Sequence, residues 1–210
     1  MMKKLIPALL LCLLTVGLYS QKVEKGFVSL FDGKSLNGWK ISTENPDSWN
    51  IEDGSIVTRG PRSHLFYDGK HGPFKNFELK VDVWTEPNSN GGIFFHTDYQ
   101  ESGWPTGGIE CQVNVSHKDW KKTGSLYSIA SLGLVPVQDK RWWTQHIIVK
   151  GKTVQVFLNG LLVVEYQEPV GAKPSERAEK VLSSGTIALQ CHDPISVVKY
   201  KNIRIKKLPD

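Results

Sequence analysis

Cysteine is scarce in this chain, with three in 210 residues, and none stands in a CxxC pair. A disulfide framework and a cysteine-type metal site are both excluded by that count and spacing. No His-x-His or HExxH pair occurs, so the usual zinc spacings are missing as well. The double glycine Gly91-Gly92 lacks the rest of any phosphate-binding fingerprint, and there is no GxSxG elbow to support serine hydrolase chemistry. Strong charge of one sign is also absent: the formal net charge is +5. That is too mild and dispersed to point to nucleic acid. Repeats, low-complexity stretches and a convincing linker are lacking too.

What is present begins with a leader pattern. Lys3 and Lys4 precede an apolar run from Leu5 to Leu18, interrupted by Pro7 and followed by Tyr19 and Ser20. The run is short for a membrane span and fits a signal peptide cleaved near Ser20, leaving one domain over 21–210 with no membrane span. The expected location is periplasmic or extracellular. Cys12 lies inside the run without the small residues that a lipoprotein cleavage site needs. Leader removal takes two lysines and no acids, so 24 basic residues remain against 21 acidic ones. Hydrophobic residues make up 40% of the chain, enough for a full core. The seven tryptophans suit a sugar site as well as a core.

Short alternating runs broken by turns dominate the rest. Phe77, Leu79, Val81 and Val83 alternate with Glu78, Lys80, Asp82 and Trp84, which predicts a half-buried strand. Ile147 and Val149, then Val154, Val156 and Leu158, repeat the pattern around a turn at Gly151-Lys152. Asn159-Gly160 is a hairpin signal, and Asp32-Gly33, Asp53-Gly54 and Asp68-Gly69 mark further turns. Val197–Ile205 closes the chain as a strand, and Gly171–Lys180 is the best helix candidate. About a dozen strands at this spacing predict an all-β sandwich or jelly roll of two antiparallel sheets.

Three segments carry chemistry. In 91–97 the alternation puts Phe94 and His96 on one face and Ile93 and Phe95 on the other. In 109–114 Glu110, Gln112 and Asn114 share a face opposite Ile109, Cys111 and Val113. In 189–193 Gln190 and His192 oppose Leu189 and Cys191. A solvated face would carry Lys, Glu and Thr. Amides and imidazoles instead suggest a groove offering paired donors and acceptors to sugar hydroxyls. Cys111 and Cys191 are expected to face the core. The long segment 116–127 is rich in groups that could close over a ligand. Lys118 and Lys121 within it read as solvated, and His64, His71 and His146 as structural or solvated.

The run from Phe27 through Asp32-Gly33 to Trp39 resembles the opening of the 3-keto-disaccharide hydrolase family. Trp49–Ile56, Glu110–Gln112, Thr123–Tyr127, Leu158–Gly160, Gly185–Gln190 and Lys201–Ile205 continue the likeness in order, from about Phe27 to Leu208. The resemblance implies a concanavalin A-like fold and a carbohydrate ligand. An Arg often follows the Gly-Ile-aromatic-aromatic run in that family, and here it is His96.

Laminarinase-type relatives of this fold hydrolyse with paired carboxylates, but Gln112 stands where the second acid would be. The substrate implied by the resemblance removes that need. A C3 ketone acidifies the C2 proton, so a base can remove it, the C1 oxygen leaves, and water adds to the enone. His96, Glu110 and His192 suit the proton transfers. Lys122 or Tyr127 could stabilise the enolate, with Gln112, Asn114, Gln190 and Asp193 binding the sugar. A divalent metal held by some of His96, Glu110, His192 and Asp193 is a second way to stabilise it. The competing class is a lectin-like carbohydrate-binding module, which needs no base.

Overall fold

The computed structural model describes residues 24–173 and 181–210. The leader and 174–180 of the helix expected over 171–180 lie outside the described residues. Among the described residues, the helical content is one 3-10 turn at Pro46–Ser48, and no helix is long and apolar enough to cross a membrane.

Among the described residues thirteen strands form two antiparallel sheets, as the alternation predicts. In chain order they are β1 (Val28–Ser29), β2 (Trp39–Ile41), β3 (Trp49–Glu52), β4 (Ser55–Thr58), β5 (Ser63–Tyr67), β6 (Phe77–Thr85) and β7 (Asn90–Thr97). They continue as β8 (Ile109–Asn114), β9 (Trp143–Lys150), β10 (Thr153–Leu158), β11 (Leu161–Gln167), β12 (Thr186–Cys191) and β13 (Val198–Lys207). The larger sheet runs β11-β10-β9-β6-β13-β4-β3, with β1 beside β13. The smaller one runs β2-β5-β12-β7-β8. Hairpins close where the turn residues supply left-handed backbone. Asp53-Gly54 (φ 49° and 72°) joins β3 to β4, and Asn159-Gly160 (φ 50° and 84°) joins β10 to β11.

Alternation along β6 buries Phe77, Leu79, Val81 and Val83 and leaves Glu78, Lys80, Asp82 and Trp84 half-exposed. The inner faces of both sheets merge into one core. Ile93, Phe95, Ile109, Cys111, Val113, Leu189 and Cys191 of the smaller sheet meet Val81, Ile147, Val156 and Tyr200 of the larger. Burying such side chains contributes ~1.5–3 kcal/mol each. The smaller sheet is unusual in being buried on both faces through most of β5, β7, β8 and β12. Two long connections, 98–108 and 115–142, accompany its outer face, and the cavity described below lies between them and the sheet.

The two cysteines face the core as expected and are fully buried on β8 and β12; whether they pair was open from the sequence, and with β7 between their strands both are free. Burial pushes the Cys111 thiol up to about 12 and the Cys191 thiol up to about 11. A thiolate is the reactive form, so neither should react while the fold is intact. With iodoacetamide at about pH 8, Cys111 and Cys191 should stay unlabelled in the native protein and label fully in denaturant. Native labelling of either, read by peptide mass spectrometry, would show that its strand faces the other way.

Candidate active site

The register of the smaller sheet builds the site. Gln190 of β12 pairs with His64 of β5 on one side and Gly92 of β7 on the other, and Gly92 pairs with Gln112 of β8. One step along, Phe66, Ala188, Phe94 and Glu110 form a parallel row. Both rows face away from the core, because their neighbours Leu65, Leu189, Ile93 and Cys111 point into it. Phe66, Phe94 and Ala188 pack with Tyr99 into a small apolar cluster on this outer face.

A cavity of about 560 Å³ opens over β7, β8 and the end of β12. Glu110, Gln112, Gln190, His192 and Tyr127 line it, joined by Asn90, Phe94, Trp104, Asp119 and Lys121. Gly92 decides where the Glu110 carboxylate sits. A Cβ at Gly92 would lie 2.5 Å from Glu110 Oε1, so the bare backbone is the space the carboxylate occupies. Across that gap Gln190 Nε2 donates to Glu110 Oε1 at 3.1 Å. Gln112 Nε2 donates to Asn90 Oδ1 at 2.7 Å. The amide oxygens of Gln112 and Gln190 are buried with no hydrogen-bond partner, which leaves two acceptors beside the cavity.

His192 follows β12 and is held by its neighbour: its Nδ1 lies 2.8 Å from Asp193 Oδ2. Asp193 Oδ1 accepts from the backbone N–H of Ile195 and of Ser196. Burial alone would raise the Asp193 pKa, but the hydrogen bonds from His192 and the 195–196 turn outweigh it and hold the group below its ordinary value. Asp193 therefore stays ionised and orients the ring, leaving Nε2 of His192 for a ligand. His117, whose own pKa burial lowers, sits 5.7 Å from His192 ring to ring.

Four expected site residues do not line the cavity: Asp193, read as sugar-binding, holds His192 instead, and His96, Asn114 and Lys122 are placed elsewhere. His96 leaves the outer face because β7 carries a bulge there. Thr186 pairs with Thr97 but Ile187 with Phe95, so His96 is the extra residue, at φ 58°. The ring is buried against Phe77 and Phe95, with Nε2 2.9 Å from the Lys75 carbonyl and Nδ1 accepting from Ser183 N–H. Asn114 is fully buried and gives its amide to the carbonyls of Asp119 and Lys121. Lys122 Nζ donates to the carbonyls of His117 and Asp119, at 2.7 and 2.9 Å. Asn114 and Lys122 thus fold the loop that presents Asp119 and Lys121 to the cavity. Lys121, read as solvated, lines that cavity with its Nζ 4.3 Å from the Tyr127 ring centre. Among the described residues no three His, Cys, Asp or Glu side chains group in a way that could hold a metal ion.

This placement gives His96 a structural task. His96→Ala should leave the Lys75 carbonyl and Ser183 N–H without their partner and open a cavity, destabilising the fold by about 2–4 kcal/mol. Turnover per folded molecule should stay within a few-fold. A stable variant with lost turnover would return His96 to the chemistry.

A sandwich whose cavity gathers a carboxylate, an imidazole, amides and aromatic rings is the arrangement of a carbohydrate-active protein. The chain belongs to the family described as the 3-keto-alpha-glucoside-1,2-lyase-like domain, which matches residues 26–206. A curated "3-keto-disaccharide hydrolase" of Bacteroides thetaiotaomicron is 37% identical over 78 residues, 33% of this chain and 27% of that protein, so the match spans about a quarter of the relative's length. A crystal structure from Parabacteroides distasonis, described as a candidate glycosyl hydrolase, superposes with a TM-score of 0.73 at 26% identity, covering 88% of this chain and 94% of that one. The carbohydrate-binding module CBM66 of Bacillus subtilis shares the fold, with a TM-score of 0.59 at 16% identity over 81% and 96% of the two chains.

Proposed function

We propose that this chain cleaves 3-keto-glycosides by removing the C2 proton. The observation that carries the reading is that Glu110 and an Asp193-held His192 line one cavity together. The C2–H bond breaks and its electron pair passes into the enolate of the C3 ketone. The enolate then collapses, forming the C1=C2 double bond and breaking the C1–O bond, and the leaving oxygen takes up a proton. Water added across C1=C2 returns the free 3-keto sugar. Glu110 and His192 divide the proton transfers between C2 and the leaving oxygen. Lys121 and Tyr127 line the same cavity, and in this reading their positive charge and phenol stabilise the enolate oxygen. Gln112 and Gln190 offer their free amide oxygens to sugar hydroxyls.

Asp119 adds a second carboxylate to the cavity wall, so direct hydrolysis by a carboxylate pair is a rival with its own support. Its Oδ1 accepts from Lys121 N–H at 3.0 Å, which ties it to its own loop. A 3-keto-glycoside deuterated at C2 separates the two. Elimination loses the label to solvent during turnover, and release of product with the label retained would overturn the reading. Tight binding of sugars without turnover of any 3-keto substrate would favour the binding-module reading.

A further inference from the structure

His64 is the anomaly of the outer face. It stands on β5 beside Gln190, is 1% exposed, and neither ring nitrogen has a hydrogen-bond partner. Burial, with a smaller contribution from Arg62, lowers its pKa to about 3. The ring is therefore neutral, carrying one donor and one acceptor that nothing uses. Its neighbours are aromatic. Phe94 and Trp104 each meet it edge to face with ring centres 5.7 Å apart, and Phe66 lies at 6.2 Å. Phe66 and Phe94 belong to the sheet, whereas Trp104 comes from the 98–108 connection and is 43% exposed. The indole is thus the cover between His64 and solvent.

The cover and its backbone are held by different contacts. Gln100 Nε2 donates to the Trp104 carbonyl at 2.8 Å, and Gly103 N–H donates to Glu44 Oε2 at 2.8 Å, so the loop is clamped on both sides of the indole. The indole itself is held by ring contacts, to His64, to His192 at 5.2 Å and to the Arg62 guanidinium at 4.9 Å. Rotation about its own side-chain bonds would remove those contacts and uncover His64.

Resting on the reading above, we propose that the surface under Trp104 is a second sugar subsite, which takes the leaving-group ring of a disaccharide and gives one of its hydroxyls to His64. A hydroxyl donates and accepts, which matches a neutral imidazole. Phe94 and Phe66 supply an apolar floor for the C–H face of the ring. His64 lies two strand spacings, about 10 Å, from Gly92, over which Glu110 leans. That exceeds what one pyranose ring spans, so the group reaching His64 belongs to the second ring.

The test compares wild type and His64→Phe on methyl 3-keto-α-glucoside and on a 3-keto-α-glucosyl disaccharide. Loss of the His64 contact should raise KM for the disaccharide about tenfold and leave KM for the methyl glycoside unchanged. Tm should hold or rise, because two unpaired buried nitrogens are removed. His64→Gln, with a donor and an acceptor, should recover part of the affinity. Equal KM values for the disaccharide in wild type and His64→Phe overturn the subsite. Wild type turning over neither substrate sinks the proposed function instead. The subsite is then read by calorimetry with the unoxidised disaccharide and methyl glucoside, where the same tenfold selective loss supports it and equal affinities overturn it. Trp104→Ala, at an exposed position, should let the His64 ring titrate near the ordinary value of about 6.5. A ring that stays unprotonated to about pH 3 would mean that the indole is not its cover, and the proposal falls.

Discussion

Glu110→Gln should lower kcat on a 3-keto-glycoside by ~10²–10⁴-fold, the usual loss for a removed general acid or base. The substitution keeps size and shape and removes only the charge and the proton affinity. The carboxylate is partly exposed at the cavity, and its Oε1 accepts from Gln190 Nε2, a bond the amide oxygen of Gln can still accept. Core packing is untouched, since Glu110 points away from Cys111 and Ile109. Tm should therefore stay within a few degrees while turnover collapses and KM changes little, the pattern of an interaction needed in the transition state. A variant keeping more than about a tenth of wild-type turnover would remove Glu110 from the proton transfers. His192 would then be left with Asp119 or Tyr127 as partner at the same cavity.

The residues readable from sequence and those that escaped it divide on a physical line. Glu110, Gln112 and Gln190 were legible because their strands alternate without interruption, so period two alone fixes which face each occupies, and His192 comes directly after the end of β12. The same rule misplaced His96, because a bulge inserts one residue and reverses the side of everything local to it. Nothing in Phe94-Phe95-His96-Thr97 announces the register shift against β12. Asn114 lies on the outer face as alternation says, yet is spent on loop carbonyls whose positions depend on how 117–122 folds. Asp119, Lys121 and Trp104 come from connections, where spacing carries no rule. A signal did exist for Trp104, in a tryptophan set within Ser102-Gly103-Trp104-Pro105 between two strands. His64 alternates with Leu65 just as Glu110 does with Cys111. Its place beside Gln190 becomes visible only once β5 is known to pair with β12.

Gly92→Ala should cost about 10²-fold in turnover while leaving the fold intact, although the new methyl carries no chemistry. Gly92 sits in mid-strand, where extended backbone suits alanine as well as glycine, and its φ lies outside the left-handed region. The added Cβ would meet Glu110 Oε1 at 2.5 Å, its Cγ at 3.0 Å and its carboxyl carbon at 3.1 Å. All of these belong to the outer part of one flexible side chain, so the strain is relieved by moving the carboxylate rather than the sheet. A displacement of about 1 Å at a reacting group can cost 10²-fold in rate. The shift would also break the bond from Gln190, leaving its amide N–H to find another acceptor. Alanine in a strand is, if anything, slightly better than glycine for backbone entropy, so Tm should stay equal or rise. Glu110→Gln removes the function of the carboxylate, and Gly92→Ala removes its position. If position is what matters, the double variant should be no worse than Glu110→Gln alone, which is the non-additivity expected of groups acting as one unit. Full activity in Gly92→Ala would mean that the carboxylate works from elsewhere, and additive losses in the double variant would mean that Gly92 acts on something other than Glu110.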